Sequence, residues 1–235
     1  MKSKKHLLKR SRLYPVRDRT PKVSDGCLRQ PVSNGVYLIL DIPTLKERSL
    51  KYIYSIISSR HIDLIQLRDK QGAKSDLLKL AIKLSKRLRG SGTLFIVNDY
   101  VDLALASGAD GVHLGQNDLS LKEARRILGK DRIIGISCHN LAQALKAQNE
   151  GADYIGIGPI YATVTKPEYK PIGLKTLRKL KDKIEIPYFA IGDIRQGNIR
   201  KIISAGARRI AVCRAILKAD DPKIAARQLC EILNK

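Results

Sequence analysis

The sequence has no tryptophan, only two phenylalanines and an aromatic share of 5%. Proteins that bind single-stranded nucleic acid stack the bases on aromatic rings, and this chain has little material for such a surface. No apolar run approaches the roughly 18 residues that a membrane-spanning helix needs. The first residues read KSKKHLLKR, which lacks the apolar centre of a secretory signal peptide. We therefore expect no specific nucleic-acid binding and no membrane insertion.

Cysteine is also scarce, and the four cysteines lie far apart in the chain. No Cys-x-x-Cys pair occurs among Cys27, Cys138, Cys213 and Cys230. This spacing argues against a zinc site or a disulfide framework and suits a reducing compartment. We therefore predict a cytoplasmic protein.

Acidic residues are outnumbered, because 45 Lys and Arg against 22 Asp and Glu give a formal net charge of +23. Residues 1–35 hold ten of the cations and two aspartates, and the other cations are spread over helix-like stretches such as LKTLRKLKDK. A dispersed excess of this kind fits a lysine-rich surface that attracts small anionic substrates. Charge alone leaves a nucleic-acid-binding protein as an alternative.

Residues 1–34 show no periodic apolar pattern and are predicted to form a basic, disordered tail before a single domain over residues 35–235. From Val36 onwards, short runs rich in Val and Ile alternate with amphipathic stretches. The runs are VYLILD (36–41), DLIQLR (63–68), LFIVND (94–99), GVHLG (111–115), IIGIS (133–137), YIGIGPI (154–160), YFAIGDI (188–194) and RIAVCRAI (209–216).

Near-continuous apolar strands that alternate with helices indicate parallel strands buried on both faces. Eight such units predict the α/β class and a (β/α)8 TIM barrel. A doubly wound open sheet is the alternative, but no Gly-x-Gly-x-x-Gly follows the first strand. In a TIM barrel the active site lies at the carboxyl ends of the strands, so unusual residues there are candidates for function.

The second run ends in IQLRDK, which places Gln66, Arg68 and Lys70 two residues apart. Side chains at this spacing share one face of a strand. Burying a cation is costly unless an anion compensates its charge. The planar guanidinium of Arg68 beside the point charge of Lys70 suits a diphosphate. The alternative is that the strand ends before Arg68 and that all three side chains are solvated.

Carboxylates follow the next two strands. Asn98 and Asp99 end the third strand, and Gln116 and Asp118 follow the fourth. Two carboxylates beside phosphate-binding cations are suited to Mg²⁺, which uses one or two carboxylates and completes its shell with water and phosphate oxygens. The alternative is that each aspartate caps the helix after it, although Ser120 is an equally good cap for the second of these helices.

The later strand ends carry hydroxyls, cations and glycine. Ser137 and His139 follow the fifth strand, where a lone histidine is more often structural than catalytic. The long loop GPIYATVTKPEYKPIG brings Thr163, Thr165 and Lys166, and long loops in compact barrels are usually functional.

Strands seven and eight end at two pairs of residues, Gly192-Asp193 and Cys213-Arg214. The loops after these strands form the common phosphate site of the TIM barrel. From the residues alone we predict a barrel enzyme that binds a Mg²⁺-bound diphosphate at strands two to four and a monophosphate at strands seven and eight.

In this order the residues resemble the thiamine phosphate synthase family from about Val36 to the C-terminus. That family carries Gln-x-Arg-x-Lys, Asn-Asp, Gly-Gln-x-Asp, a Ser, and Gly-Pro-x-(x)-Thr-x-Thr-Lys after successive strands. This chain has QLRDK, ND, GQND, Ser137 and GPIYATVTK at these places, the last with three residues between Pro159 and Thr163. The resemblance implies a transferase that joins a pyrimidine diphosphate to a thiazole phosphate with Mg²⁺ as cofactor.

The resemblance also implies a role for each matching residue. Those expected to bind the pyrimidine diphosphate are Gln66, Arg68, Lys70, Asn98, Ser137 and Lys166. Arg68, Lys70, Ser137 and Lys166 are expected to act in catalysis. Asp99 and Asp118 are expected to bind Mg²⁺. The thiazole phosphate is expected to contact Thr163 and Thr165. The monophosphate site predicted after strands seven and eight adds Gly192, Asp193, Cys213 and Arg214 to these contacts.

Two positions depart from the family pattern, which typically has Gly-Gly where this chain has Gly192-Asp193 and often has Ser where it has Arg214. We hypothesise that Asp193 and Arg214 form an ion pair. A related thiazole tautomerase, using a histidine that His139 matches, is the nearest rival, and an RNA-binding barrel is a remote one. Plain and carboxylated thiazole phosphates both stay open as substrates, and an oligomer stays possible.

Overall fold

The computed structural model describes residues 34–45, 49–164 and 168–235. The tail predicted for residues 1–34 lies outside these ranges except for Asn34. Eight parallel strands form a closed barrel in chain order. The strands are β1 Gly35–Asp41, β2 Leu64–Arg68, β3 Leu94–Asn98, β4 Gly111–Leu114, β5 Ile133–Cys138, β6 Tyr154–Ile157, β7 Tyr188–Ile191 and β8 Arg209–Val212.

The helices alternate with the strands, so the predicted (β/α)8 barrel is confirmed. They are α1 Ile42–Leu45, α2 Leu50–Ile57, α3 Lys74–Leu88, α4 Val101–Ser107, α5 Leu121–Leu128, α6 Leu141–Asn149, α7 Gly173–Leu180, α8 Ile199–Ser204, α9 Arg214–Leu217 and α10 Pro222–Leu233. Within the described ranges, no helix is both long and apolar enough to cross a membrane.

The last three strands are shorter than the sequence predicts. β6 stops at Ile157 because Gly158 and Pro159 follow, and proline has no N–H to continue the ladder. β8 stops at Val212, and Arg214 begins helix α9 rather than ending a strand. The loops over the barrel mouth are therefore longer than expected, which leaves more backbone available to line a site.

Apolar side chains pack in two places, between the sheet and the helices and inside the barrel. The interior holds Tyr37, Tyr154 and Phe189, whose rings meet edge to face with centroids 5.1–5.8 Å apart. Edge-to-face packing is the favoured geometry for aromatic pairs. These rings close the barrel below its mouth and form the floor of any site above them.

Gly135 is required by this interior packing. A Cβ atom at Gly135 would lie 2.1 Å from the Cζ atom of Tyr154. We expect Gly135→Ala to lower the free energy of unfolding by about 2 kcal/mol, because overpacking forces the buried ring to move. Urea denaturation measures this. The control is Gly197→Ala, where a Cβ has nothing within 4 Å, and an equal loss in both variants would contradict the explanation.

Candidate active site

A cavity of about 300 Å³ opens where the strands end, above the aromatic floor. Nine residues predicted from the sequence line it, namely Gln66, Arg68, Asn98, Ser137, Thr163, Gly192, Asp193, Cys213 and Arg214. Lys70 lines an adjoining depression that shares Arg68 and Arg214 with the cavity. Thr165 and Lys166 lie outside the described residues. The barrel thus gathers side chains that are far apart in the chain.

β2 carries its polar face to the end of the strand, as alternation predicted. The buried Gln66 donates a hydrogen bond through Nε2 to the Tyr37 hydroxyl at 2.5 Å. Arg68 is the last residue of β2 and is mostly buried, so the interpretation that the strand ends before it is wrong. Lys70 lies two residues past the strand with half of its side chain exposed, so its predicted burial is wrong.

The charges of these two cations are compensated by carboxylates of the protein itself. Arg68 Nη1 pairs with Asp41, its register partner on β1. Asp41 also accepts hydrogen bonds from the backbone N–H of Thr44 at 3.1 Å and from its hydroxyl at 2.6 Å. Lys70 Nζ lies 3.0 Å from Asp99 Oδ2. The sequence reasoning missed Asp41, whose position at the end of an apolar strand was the available signal.

Asp99 and Asp118 come together beside Lys70. Burial raises the pKa of Asp99, nearby Asp118 raises it further, and Lys70 opposes the shift. Asp99 has a left-handed backbone, with φ of 62°, and donates its N–H to the carbonyl of His113 at 2.9 Å. Two carboxylates this close repel each other, and a shared cation would relieve that repulsion.

Neither aspartate caps a helix. Ser120 caps α5 by accepting the N–H of Glu123, whereas Asp118 Oδ2 accepts the N–H of Gly115 at 2.6 Å. Tyr100, not Asp99, precedes α4. Within the described ranges, no three His, Cys, Asp or Glu side chains cluster to hold a metal alone. The donor set fits a cation such as Mg²⁺, which takes few carboxylates and completes its shell with water and phosphate.

Ser137 is held by a histidine that the sequence reasoning missed. His113 Nε2 lies 2.9 Å from Ser137 Oγ, and His113 Nδ1 lies 3.0 Å from the Tyr154 hydroxyl. The carbonyl of Ser137 accepts a hydrogen bond from Gln116 Nε2 at 2.6 Å. The signal was a polar side chain in β4 between Val112 and Leu114, which pack in the core between sheet and helices, so alternation directs His113 into the barrel.

His139 lines the cavity as an oriented ring. Its Nδ1 lies 2.6 Å from the carbonyl oxygen of Gly158, and its ring stacks on Tyr169 with centroids 4.2 Å apart. These contacts fix the plane of the imidazole. They fit the structural role that the sequence favoured for a lone histidine after a strand.

In the loops after β7 and β8, the ion pairing of Asp193 differs from the prediction. Asp193 Oδ2 lies 3.7 Å from Arg195 Nε. The described residues contain no ion pair between Asp193 and Arg214, so that hypothesis is wrong. Arg214 is exposed because it begins α9. Gly192 packs against Pro159, where a Cβ atom would come within 2.7 Å, so only glycine fits.

Cys213 is not a nucleophile in this setting. Burial raises the pKa of its thiol to about 11, and the charge of Asp41 adds to the rise. The thiol is therefore protonated at neutral pH, and the thiolate is the reactive form of cysteine. Its contribution to the cavity is shape.

Comparisons with known proteins agree with the geometry. A family model described as thiamine monophosphate synthase matches residues 36–216. The thiamine-phosphate synthase of Chloroflexus aurantiacus is 42% identical over 195 residues, which cover 83% of this chain and 90% of that protein. The solved thiamine phosphate pyrophosphorylase from Pyrococcus furiosus superposes with a TM-score of 0.78 at 32% identity, covering 86% of this chain and 96% of that one.

Some relatives are much longer than this chain. The thiamine-phosphate synthase of Gloeobacter violaceus is 49% identical over 174 residues, which cover 74% of this chain and 51% of that protein. The chain spans about half the length of this relative and of similar ones from Prochlorococcus marinus and Synechococcus. The similarity to these relatives therefore extends over about half of their length.

Proposed function

Because this chain belongs to the thiamine monophosphate synthase family, we propose that it catalyses the synthesis of thiamine monophosphate. The substrates are 4-amino-5-hydroxymethyl-2-methylpyrimidine diphosphate and a thiazole phosphate, and the second product is diphosphate. One observation carries the proposal. Arg68, Lys70, Asp99 and Asp118, from three neighbouring strand ends, lie together at one mouth of the barrel.

The reaction needs charge stabilisation more than a protein nucleophile. The bond between the pyrimidine methylene carbon and the diphosphate oxygen breaks, and its electron pair leaves with the diphosphate. The lone pair of the thiazole nitrogen then forms the new C–N bond. Arg68 and Lys70 direct positive charge towards the departing diphosphate, which is the kind of preorganised electrostatics that lowers such barriers. Lys166 is proposed to add to this charge.

We assign Asp99 and Asp118 as the residues that hold Mg²⁺. When bound, Mg²⁺ neutralises part of the charge that accumulates on diphosphate. Lys70 is held at this position by Asp99, whose Oδ2 lies 3.0 Å from Lys70 Nζ. We assign to Asn98, which is buried at the end of β3 and lines the cavity, the role of orienting the pyrimidine end of the substrate.

The thiazole phosphate is assigned to the side of the cavity formed after β6, β7 and β8. Thr163 and Gly192 line this side, and Thr165 is proposed to act with them. Arg195, Arg214 and Lys218 line the same cavity, and such cations suit a monophosphate. Three cations are also enough to bind a second anionic group, so a carboxylated thiazole phosphate is a second candidate substrate.

A direct assay tests the proposed activity. The purified protein is incubated with both substrates and Mg²⁺, and thiamine monophosphate is expected to appear by mass spectrometry. An isomerised thiazole phosphate with no consumption of the pyrimidine substrate would instead identify a tautomerase. Tight RNA binding at about 150 mM salt, with no product, would favour the RNA-binding alternative.

Asp193 is expected to weaken the binding of the thiazole phosphate. Asp193 lines the cavity, and its backbone has a left-handed φ of 42°, which glycine adopts without strain. We expect Asp193→Gly to lower the KM for thiazole phosphate about threefold, because a repulsive charge is removed. The control is Asp131→Gly, an exposed aspartate before β5 at the other end of the barrel. A raised KM in Asp193→Gly would contradict this assignment.

A further inference from the structure

A continuous chain of hydrogen bonds crosses the interior of the barrel below the candidate active site. It joins one side chain from each of five strands, namely Gln66, Tyr37, Tyr154, His113 and Ser137. The distances along it are 2.5 Å from Gln66 Nε2 to Tyr37 Oη, 2.8 Å from Tyr37 Oη to Tyr154 Oη, 3.0 Å from Tyr154 Oη to His113 Nδ1, and 2.9 Å from His113 Nε2 to Ser137 Oγ. Gln66 and Ser137, at its two ends, line the cavity.

The middle of the chain is sealed from solvent. Tyr37 is 1% exposed, Tyr154 is 0% exposed and His113 is 7% exposed. Two glycines make room for the rings, since a Cβ atom at Gly135 would collide with Tyr154 and one at Gly156 would lie 3.3 Å from His113 Cε1. Burial raises the pKa of both tyrosine hydroxyls, so each keeps its single proton.

Taking Gln66 Nε2 as the donor to Tyr37 determines the direction of each later hydrogen bond in the series. Gln66 donates to the oxygen of Tyr37, so the single hydroxyl proton of Tyr37 goes to Tyr154, its other partner in the described residues. Tyr154 must then donate to Nδ1 of His113. With Nδ1 accepting, the neutral imidazole carries its proton on Nε2 and donates to Ser137.

We propose that Tyr37, Tyr154 and His113 are positioning residues that fix the hydrogen-bond polarity of the two cavity-facing groups, Gln66 and Ser137. The hydroxyl proton of Ser137 is directed into the cavity as a donor, and Oε1 of Gln66 is left as an acceptor. Aligned hydrogen bonds polarise one another, so the donor is stronger than that of an isolated serine.

This polarity selects a ligand with an acceptor at one place and a donor at the other. An anionic oxygen accepts from Ser137, and an exocyclic amine donates to Gln66. The pyrimidine diphosphate of the proposed function carries both groups, so the inference rests on that function and adds a reason for its specificity. A serine acting only as acceptor would repel the departing diphosphate, whereas a donor stabilises it.

The tautomer of His113 is the most direct test. Nitrogen-15 spectra of the whole protein labelled at histidine distinguish the two neutral tautomers, and His113→Gln assigns the signal among the four histidines. The wild type is expected to show the neutral Nε2–H form. A neutral Nδ1–H form, or a cationic ring at neutral pH, would overturn the proposal whether or not the protein makes thiamine monophosphate.

Tyr154→Phe removes one hydroxyl from the series of hydrogen bonds and keeps the aromatic ring. We expect kcat to fall about tenfold with little change in KM, the size of effect that one lost hydrogen bond produces. The His113 signal should also lose its fixed tautomer. Tyr188→Phe is the matched control, because the Tyr188 hydroxyl donates to the carbonyl of Gly206 and takes no part in this series of hydrogen bonds. It should leave both kcat and the His113 signal unchanged.

A double-mutant cycle separates positioning from general destabilisation. If the series of hydrogen bonds acts through Ser137, Tyr154→Phe should lower kcat little in a Ser137→Ala background, because the hydroxyl that the series orients is already gone. Fully additive losses would overturn the proposal. Absence of thiamine monophosphate from the wild type would remove the proposed function, and the tautomer measurement would then decide the inference alone.

Discussion

Arg68→Ala is expected to lower kcat/KM at least about 100-fold, the loss typical of removing one preorganised group that stabilises developing negative charge. Arg68 ends β2, lines the cavity and carries a planar fork suited to diphosphate oxygens. Arg68→Lys should recover only part of the activity, because a lysine keeps the charge but not the two parallel donors. Steady-state kinetics with both substrates measure the two variants.

Stability must be separated from chemistry in this experiment. Arg68→Ala leaves the carboxylate of Asp41, which is 4% exposed, without its cation. Breaking a buried pair in this way lowers the free energy of unfolding by about 3 kcal/mol. The double variant Asp41→Asn with Arg68→Met removes both charges, and the amide oxygen that replaces the carboxylate can still accept the two hydrogen bonds from Thr44. It should regain stability in urea denaturation and stay inactive.

Asp69→Ala is the neighbouring control. Asp69 points away from the cavity and accepts the backbone N–H groups of Gln71 and Gly72 at 2.9 Å in an exposed turn. Its loss should change kcat/KM less than threefold, because its carboxylate holds the turn and does not line the cavity. A greater loss of activity in Asp69→Ala than in Arg68→Ala would refute the assigned face of β2.

Strand ends were the most predictable part of this molecule. Periodicity located all eight strands, and the barrel then required residues after successive strands to meet at one mouth. Gln66, Ser137 and Asp193 were found in this way, because each lies where an apolar run ends. The same logic brought Arg214 to the cavity but placed it in a strand, since a strand that continued to residue 216 was indistinguishable by pattern from a strand followed by a helix.

Partners across the barrel were not predictable from alternation. Asp41 meets Arg68 because β1 and β2 pair in one particular register, which a single sequence does not specify. Tyr37, Tyr154 and His113 come from β1, β6 and β4, and their contact depends on how the strands tilt and stagger around the barrel. Each is an inward-facing polar group within a strand that the apolar pattern predicted. That pattern signals a buried network without identifying its members.

Asp99→Asn and Asp118→Asn are each expected to weaken Mg²⁺ binding about tenfold or more, because each removes one of the two carboxylates available to a hard cation. Isothermal titration with Mg²⁺ in the presence of inorganic diphosphate measures this without relying on catalysis. In the activity assay both variants should need more Mg²⁺ for half-maximal rate. In Asp118→Asn the side-chain amide oxygen can still accept the N–H of Gly115, so the turn before α5 should persist.

Asp69→Asn serves as the control for charge in general, because it removes a carboxylate one residue from Lys70 but outside the cavity. It should bind Mg²⁺ with wild-type affinity. Lys70 provides a second check, since Asp99→Asn also breaks its ion pair whereas Asp118→Asn does not. If both carboxylates hold the cation, the two variants should weaken Mg²⁺ binding similarly despite this difference. Wild-type Mg²⁺ affinity in either variant would exclude that aspartate from the metal site.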